Sequence, residues 1–426
     1  MRLGWRQSDR TTRVTSPPDQ PRRRGSGIGR DGVGAGLALL AVVLISVNLR
    51  PGASSLGPVL AEVRAGLDMS PGTAGLVTAL PGLCFGAFGA LAVGLARRVG
   101  MTAGISLGLA AVVVGLVARA TTSSVALFLL ATALALGGMA LGNVLVPAWI
   151  KRHAHDGGVR LMTFYGSGLT LGGAVAAALA APVSDASALG WRAALGVWGV
   201  VAVSALVPWV LIARREHGDP ADHRAGASST PVSLWRSPTA VALTALFGIQ
   251  AMNAYVQFGW LPQIYRDAGL SATYAGVLMS LLTALGIVGG LIMPTVIARS
   301  RTLAPWMVAF GLLVITGYAG LLLAPAHLPW LWAVILGLSG FAFPTAIALI
   351  TARSRDPRVT AQLSGFVQPV GYVLAAVGPF TVGIIRDLTH DWTLVLILLM
   401  ASGVLMTLAG LRVSTHVFVD DELDRS

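Results

Sequence analysis

LDMSPGTAGLVTAL at Leu67–Leu80 returns 201 positions later as GLSATYAGVLMSL at Gly269–Leu281. Ser70 aligns with Ser271, Ala74 with Ala275 and Gly75 with Gly276. The same offset aligns Gly89 with Gly290, Arg98 with Arg299 and Trp191 with Trp392, and an offset one residue longer pairs Asn143 with Thr345 and Phe164 with Phe366. A spacing held over so much chain marks an internal repeat, and a repeat decides the architecture before any local propensity does. Two parallel copies in an apolar chain imply two halves related by a pseudo-two-fold axis along a membrane normal.

The composition surrounding that repeat is that of a chain dissolved in lipid. Of 426 residues, 55% are hydrophobic and only 11% charged, where a soluble domain carries roughly 25%. Mean hydropathy is +0.75. Most of the 52 glycines sit inside the apolar runs, with no collagen period, as expected where small residues let helices approach closely.

Runs of spanning length, roughly 20 residues each, number twelve, from near 35–60 to near 392–412. They divide the chain into a disordered basic cytoplasmic tail (1–31), an N-terminal six-helix bundle (32–213), a cytoplasmic linker (214–237), a C-terminal six-helix bundle (238–413) and a short cytoplasmic tail (414–426). The fold class expected is all-α membrane protein, with twelve transmembrane helices and both termini cytoplasmic. Basic residues support that map without having been used to draw it. Of the 30 Lys and Arg, 24 fall on the segments placed inside, while Arg64, Arg119, Arg192, Arg266 and Arg386 fall on the opposite side and Arg50 lies within a span.

Several functions are excluded at this level. The net charge of +12 is scattered between apolar stretches, which argues against nucleic acid as a partner. Cys84 is the only cysteine, so the chain forms no internal disulfide and no cysteine-based metal site. No Gly-Lys-Ser/Thr phosphate loop appears, which excludes ATP-driven transport within this chain. No nucleophile–base pair or metal cluster sits at common depth, so no enzyme activity and no cofactor are expected. Partners expected are a small-molecule substrate and the lipid bilayer, with the chain working as a monomer.

Five segments carry a family resemblance: NLRPG at Asn48–Gly52, AGLVTALPGLCFG at Ala74–Gly86, LARRVG at Leu95–Gly100, GNVLVPAWIKR at Gly142–Arg152 and GWRAALGVW at Gly190–Trp198. Together they resemble the major facilitator superfamily, and within it the cyanate-permease-like and nitroimidazole-exporter-like (CynX/NimT) branch. The resemblance covers most of the first half, and the second half follows only the general facilitator pattern. It implies a secondary carrier in the cell inner membrane, working by alternating access on a small anion of cyanate type. Export of small polar heterocycles or drugs is the alternative, and a non-transporting solute sensor with the carrier fold a distant one. One departure concerns the loop after the second span, where many facilitators carry an acid–arginine pair; here Arg97 and Arg98 stand there.

Among candidate site residues Arg50 is the sharpest. Gly36–Val47 is too short to cross roughly 30 Å of hydrocarbon at 1.5 Å per residue. The first span must therefore continue through Arg50 and Pro51, with a bend where proline removes a donor. An arginine at that depth costs roughly 2.5–3.5 kcal/mol and usually faces a cavity or partner; snorkelling to the headgroups is the bland alternative. No Asp or Glu falls at mid-depth in any span. An uncompensated guanidinium is a seat for an anion or a strong hydrogen-bond acceptor.

Gln250, Asn253 and Gln257 recur at i, i+3 and i+7 on the seventh span and are expected on one inward face. Gln368 and Tyr372 recur at i and i+4 on the eleventh. Asn48, Asn143 and Tyr165 complete the set, with interhelical hydrogen bonding as the alternative role for each. Spans one, four, seven and ten are expected to line the site, with five and eleven contributing. Gly166, Gly168, Gly172 and Gly173 are read as a close-packed helix face, and Trp149, Trp209, Trp235, Trp260, Trp306, Trp330 and Trp332 as interface anchors.

Overall fold

A computed structural model describes residues 34–153, 159–216 and 234–423. The leader 1–31, the linker positions 217–233 and the last three residues lie outside the described residues. Twelve helices are long and apolar enough to cross a membrane: span 1 (Gly36–Gly66), span 2 (Pro71–Val99), span 3 (Met101–Thr121), span 4 (Val125–His153), span 5 (Arg160–Ala186) and span 6 (Trp191–Glu216), then span 7 (Pro238–Asp267), span 8 (Ala272–Ile297), span 9 (Ala304–Leu323), span 10 (Pro329–Ala352), span 11 (Gln362–Thr389) and span 12 (Thr393–Ser414). An even count puts the start of span 1 and the end of span 12 at one face, called here the terminal face; the other is the distal face.

Two spans are interrupted. In span 1 the helix ends at Asn48, resumes for Pro51–Ser54, tightens to a 3₁₀ turn at Gly57–Val59 and continues as Leu60–Gly66. Pro51 and Pro58 cause both breaks, because neither supplies the N–H that the preceding turn needs. Span 10 breaks between Ser339 and Ala342. The bend expected at Pro51 is thus a full interruption, and span 1 runs to Gly66 instead of Leu60.

The repeat is visible in local detail. Ser70 and Ser271 each cap a span, their hydroxyls accepting from Thr73 N–H and Tyr274 N–H, which satisfies an otherwise orphaned helix donor. One turn on, Gly75 and Gly276 occupy the crossings between the halves. A methyl added to Gly75 would sit 2.9 Å from Gly383 Cα, and one on Gly276 2.7 Å from the Ala177 carbonyl oxygen. The halves meet along spans 2 and 11 and along spans 5 and 8.

These crossings open like a V. Along span 2 the added methyl meets span 11 at 2.9 Å at Gly82 and 3.3 Å at Gly86, and at Gly94 it meets nothing within 4 Å. On spans 5 and 8, Gly173 lies close to Thr283, Gly286 reaches Thr170 only at 3.7 Å, and Gly166 and Gly290 face open space. The molecule is therefore sealed at its distal face and split at its terminal face.

Three tryptophans correct the interface reading. Trp149, Trp209 and Trp260 are wholly buried. Their indole N–H groups donate to Thr102 Oγ1, the Ala41 carbonyl and the Pro379 carbonyl, because a buried indole must find an acceptor. Trp235, Trp306 and Trp330 are exposed. The glycine run also divides by role: Gly168 and Gly172 press against Ser46 and the Val47 backbone of span 1.

The chain's last described turn, Val419–Leu423, is stitched to the terminal face of the second half. Asp420 accepts from the N–H groups of Arg355 and Asp356, both at 3.0 Å. Glu422 accepts from Ser237, Thr239 and Arg412. Burial pushes the Glu422 carboxyl up, but those donors outweigh it and hold the group below the usual carboxylate range.

Candidate functional site

The split between the halves forms a cavity of about 810 Å³. Its inner end is built by Arg50, Ala53, Tyr255, Gln257 and Phe258, and its mouth by Met162, Leu291, Pro294, Ile347 and Ala348. Those mouth residues lie at the terminal-face ends of spans 5, 8 and 10. Spans 1, 2, 5, 7, 8, 10 and 11 supply the wall. Span 4, expected to line it, stands behind and reaches it only through a side-chain relay.

Arg50 projects from the first break in span 1 and is half-buried. Its guanidinium has no ion-pair or hydrogen-bond partner among the described residues. It lies within Coulombic reach of the phenols of Tyr165, Tyr255 and Tyr372. Tyr372 joins Phe85 at 5.6 Å and Tyr255 at 6.3 Å between ring centres. The inner end is thus a cation ringed by aromatic groups, with Phe258 and Phe343 also on the wall. Such a mostly apolar cleft with a few fixed polar groups is the usual build of a small-molecule site.

The other expected residues divide. Gln250, Gln257, Tyr165 and Tyr372 share the cavity wall with Arg50. Gln250 Oε1 is buried without a partner, and Gln257 donates to the Tyr318 hydroxyl at 3.2 Å. Asn253 is turned away: it is fully buried and donates to the Ile249 carbonyl and to Ser402 Oγ of span 12, both at 3.0 Å. At 100° per residue it lies 60° round the helix from Gln250, while Gln257 lies only 20° away, so the stripe splits. Asn48 donates back to the Leu44 carbonyl and Gln368 to Ser364; neither is on the wall. Asn143 accepts from Tyr165 at 3.0 Å, holding that phenol from behind, with its own Nδ2 unpartnered.

The distal seal holds the one ion pair between the halves among the described residues. Arg266 of span 7 donates to both Glu62 carboxylate oxygens of span 1, at 2.9 and 2.7 Å, and to the Pro58 carbonyl. This fork geometry is the strong form of the arginine–carboxylate contact. Behind it Gly57 lies against the Phe258 carbonyl.

Sequence reading missed Arg119. It was placed with the distal loops, and the structure buries it completely, with Nη1 donating to the Gly52 carbonyl at 2.7 Å. The polar turn Thr121–Ser124 directly after it made the span look finished. No signal in span 3 itself shows where the side chain goes.

A twelve-span bundle with one wedge-shaped cavity between repeated halves is the build of a membrane carrier. Comparison with known proteins agrees: the chain matches the Major Facilitator Superfamily over residues 42–379 and belongs to that family. It is 34% identical over 374 residues to an uncharacterized transporter, YycB, of Bacillus subtilis, covering 87% of this chain and 92% of that one. It is 31% identical to the cyanate transport protein CynX of Escherichia coli (83% and 91% covered) and 32% identical to that organism's 2-nitroimidazole transporter (88% and 94%). Among solved structures it superposes on a bacterial homolog of the human lysosomal transporter Spinster with a TM-score of 0.71 at 18% identity, covering 91% and 98% of the two chains. A D-xylose–proton symporter gives 0.69 at 12% identity, with 89% and 96% covered. The chain is a major-facilitator transporter with cyanate and nitroimidazole transporters among its relatives.

Proposed function

We propose that this transporter carries a small anion of cyanate type across the inner membrane by alternating access, with Arg50 as the anion's seat. One observation carries the reading: the guanidinium at the inner end of the cavity has no counter-ion among the described residues. Burying a cation without a partner is costly, and a monoanion arriving from either side offsets that cost. Gln250, with an unpartnered buried Oε1, and Gln257 would orient the solute, while the tyrosines close around it. By sequence, 24 of the 30 Lys and Arg fall on the segments that the span order puts at the terminal face, so the positive-inside rule assigns that face to the cytoplasm. The described conformation is then open inward, and the outward state requires the Glu62–Arg266 pair to part.

A second reading is favoured by the ring of aromatic side chains around Arg50: a flat heterocycle bearing a nitro group, as in the 2-nitroimidazole relative. Its two coplanar oxygens present the same acceptor pair to the guanidinium fork as a carboxylate does.

Proteoliposomes loaded with either cyanate or 2-nitroimidazole separate the readings. Wild-type counterflow of cyanate that is lost in Arg50→Gln, with unchanged insertion, is the expected result. Counterflow of cyanate that survives in Arg50→Gln overturns the seat.

A further inference from the structure

A second arginine, Arg119, lies buried in the first half away from the cavity wall. Pro51–Ser54 is a helix of four residues isolated by two prolines, far too short to hold its own geometry. Its backbone series closes with Ser55 N–H on the Pro51 carbonyl, one residue before Gly52. The Gly52 carbonyl points instead at Arg119, across the half's interior from span 3. Arg50 is two residues away and takes its direction from this same turn.

Arg119 is an unusual choice for a purely structural contact. It is 0% exposed, and its Nε and Nη2 groups have no acceptor among the described residues. Buried donors left unpaired destabilise a fold. Met139 and Leu116 already crowd Gly52, and a methionine at 119 would extend that packing with no orphaned donor.

The other half supplies the control. By the repeat offset of 201, Arg119 corresponds to Gly320, which lies against Trp332. Span 7, the counterpart of span 1, is one unbroken helix from Pro238 to Asp267. The half whose first span is intact has a glycine at the position equivalent to Arg119; the half whose first span is interrupted has the arginine.

We infer that Arg119 is a positioning residue for the transport site: it fixes the Gly52 carbonyl, and through it the turn that aims Arg50 into the cavity, and it does so at the expense of stability. The inference rests on the carrier reading of the cavity but on no particular solute.

The test compares wild type, Arg119→Met and Arg119→Lys as full-length purified protein. Amide exchange over residues 49–56 and thermal stability in detergent need no solute. Arg119→Met is expected to speed exchange in that segment about tenfold while its melting temperature stays equal or rises. Arg119→Lys, with one donor for the Gly52 carbonyl, restores slow exchange. In proteoliposomes probed with cyanate and with 2-nitroimidazole, whichever wild type carries shows a raised KM in Arg119→Met and recovery in Arg119→Lys. If wild type carries neither, the solute assignment falls and the exchange arm still decides Arg119. Unchanged exchange in Arg119→Met overturns the inference. So does loosening spread through span 3 with a lowered melting temperature, or an Arg119→Lys variant as loose as Arg119→Met.

Discussion

Spans 1 and 7 hold equivalent places in the two repeats and are built in opposite ways. Span 1 is cut twice by proline and carries a charge at its first break. Span 7 is a continuous 30-residue helix that brings neutral amides to the same cavity. At the offset of 201, Arg50 corresponds to Ala251. A repeat thus conserves where helices cross, at Gly75 and Gly276, while leaving each half free to specialise at the solute. Charge has been placed where the backbone is already interrupted, because only there does a short turn need, and accept, an outside anchor.

The strongest way to break this asymmetry is to remove the charge. Arg50→Gln should cut flux roughly a hundredfold, since a charge-assisted contact is worth about 1.5–3 kcal/mol and a bidentate one approaches twice that. Gln250→Ala on the unbroken span should cost only about 1 kcal/mol, or roughly fivefold in KM. Equal losses in the two variants, measured by initial uptake rates in proteoliposomes, would show that the two spans share the work.

A next test leaves the solute and addresses the crossings. Gly75→Val forces a side chain onto the Gly383 backbone, and overpacking of this kind costs about 1–3 kcal/mol. The expected outcome is a shift away from the distally sealed conformation, seen as longer spin-label distances across the distal face. Gly276→Val should do the same, because its neighbour Ala177 is also met at backbone. A distance distribution unchanged in both variants would show that the crossings do not set the state.

Smaller effects are expected from the ion pair. Glu62 and Arg266 are 35% and 22% exposed, and water screens such pairs to about 1 kcal/mol or less. Glu62→Gln should raise the distally open population by no more than about fivefold, and 1 M salt should mimic part of it.

The smallest effect concerns Glu422. Its carboxyl is held below the ordinary value of 4.5, so the clasp stabilises the fold above that pH and the contribution fades as pH falls through the lowered value. Glu422→Gln should lower the melting temperature slightly at pH 7, and the gap to wild type should close on acidification below about 4.5. A gap that widens on acidification would mean the group is not bound as a carboxylate.

Much of this was legible in the residues. Twelve spans follow from hydropathy, and the repeat follows from an offset held to within one residue, because both are set by local sequence and the thickness of lipid. Arg50 was legible for the same reason: a charge inside an apolar run has few places to go. Gln250 and Gln257 emerged from helical periodicity, but Asn253 shows its limit. An angle of 60° is enough to turn a side chain from a cavity to a neighbouring helix, and periodicity alone does not fix the phase. Arg119 was illegible in principle. Its acceptor is a carbonyl 67 positions earlier in the chain, exposed only because two prolines interrupt another helix. The tryptophans failed similarly: span ends near the interface and span ends packed against neighbours have the same composition.

The paired glycines bear on speed. At Gly75–Gly383 the two helices touch main chain to main chain, with no side chains interlocked. Rolling one bundle over the other there asks no rotamer to change and no apolar contact to be stripped off first. Resistance to switching should then come from the apolar packing and the Glu62–Arg266 pair at the sealed rim, not from the glycine crossing itself.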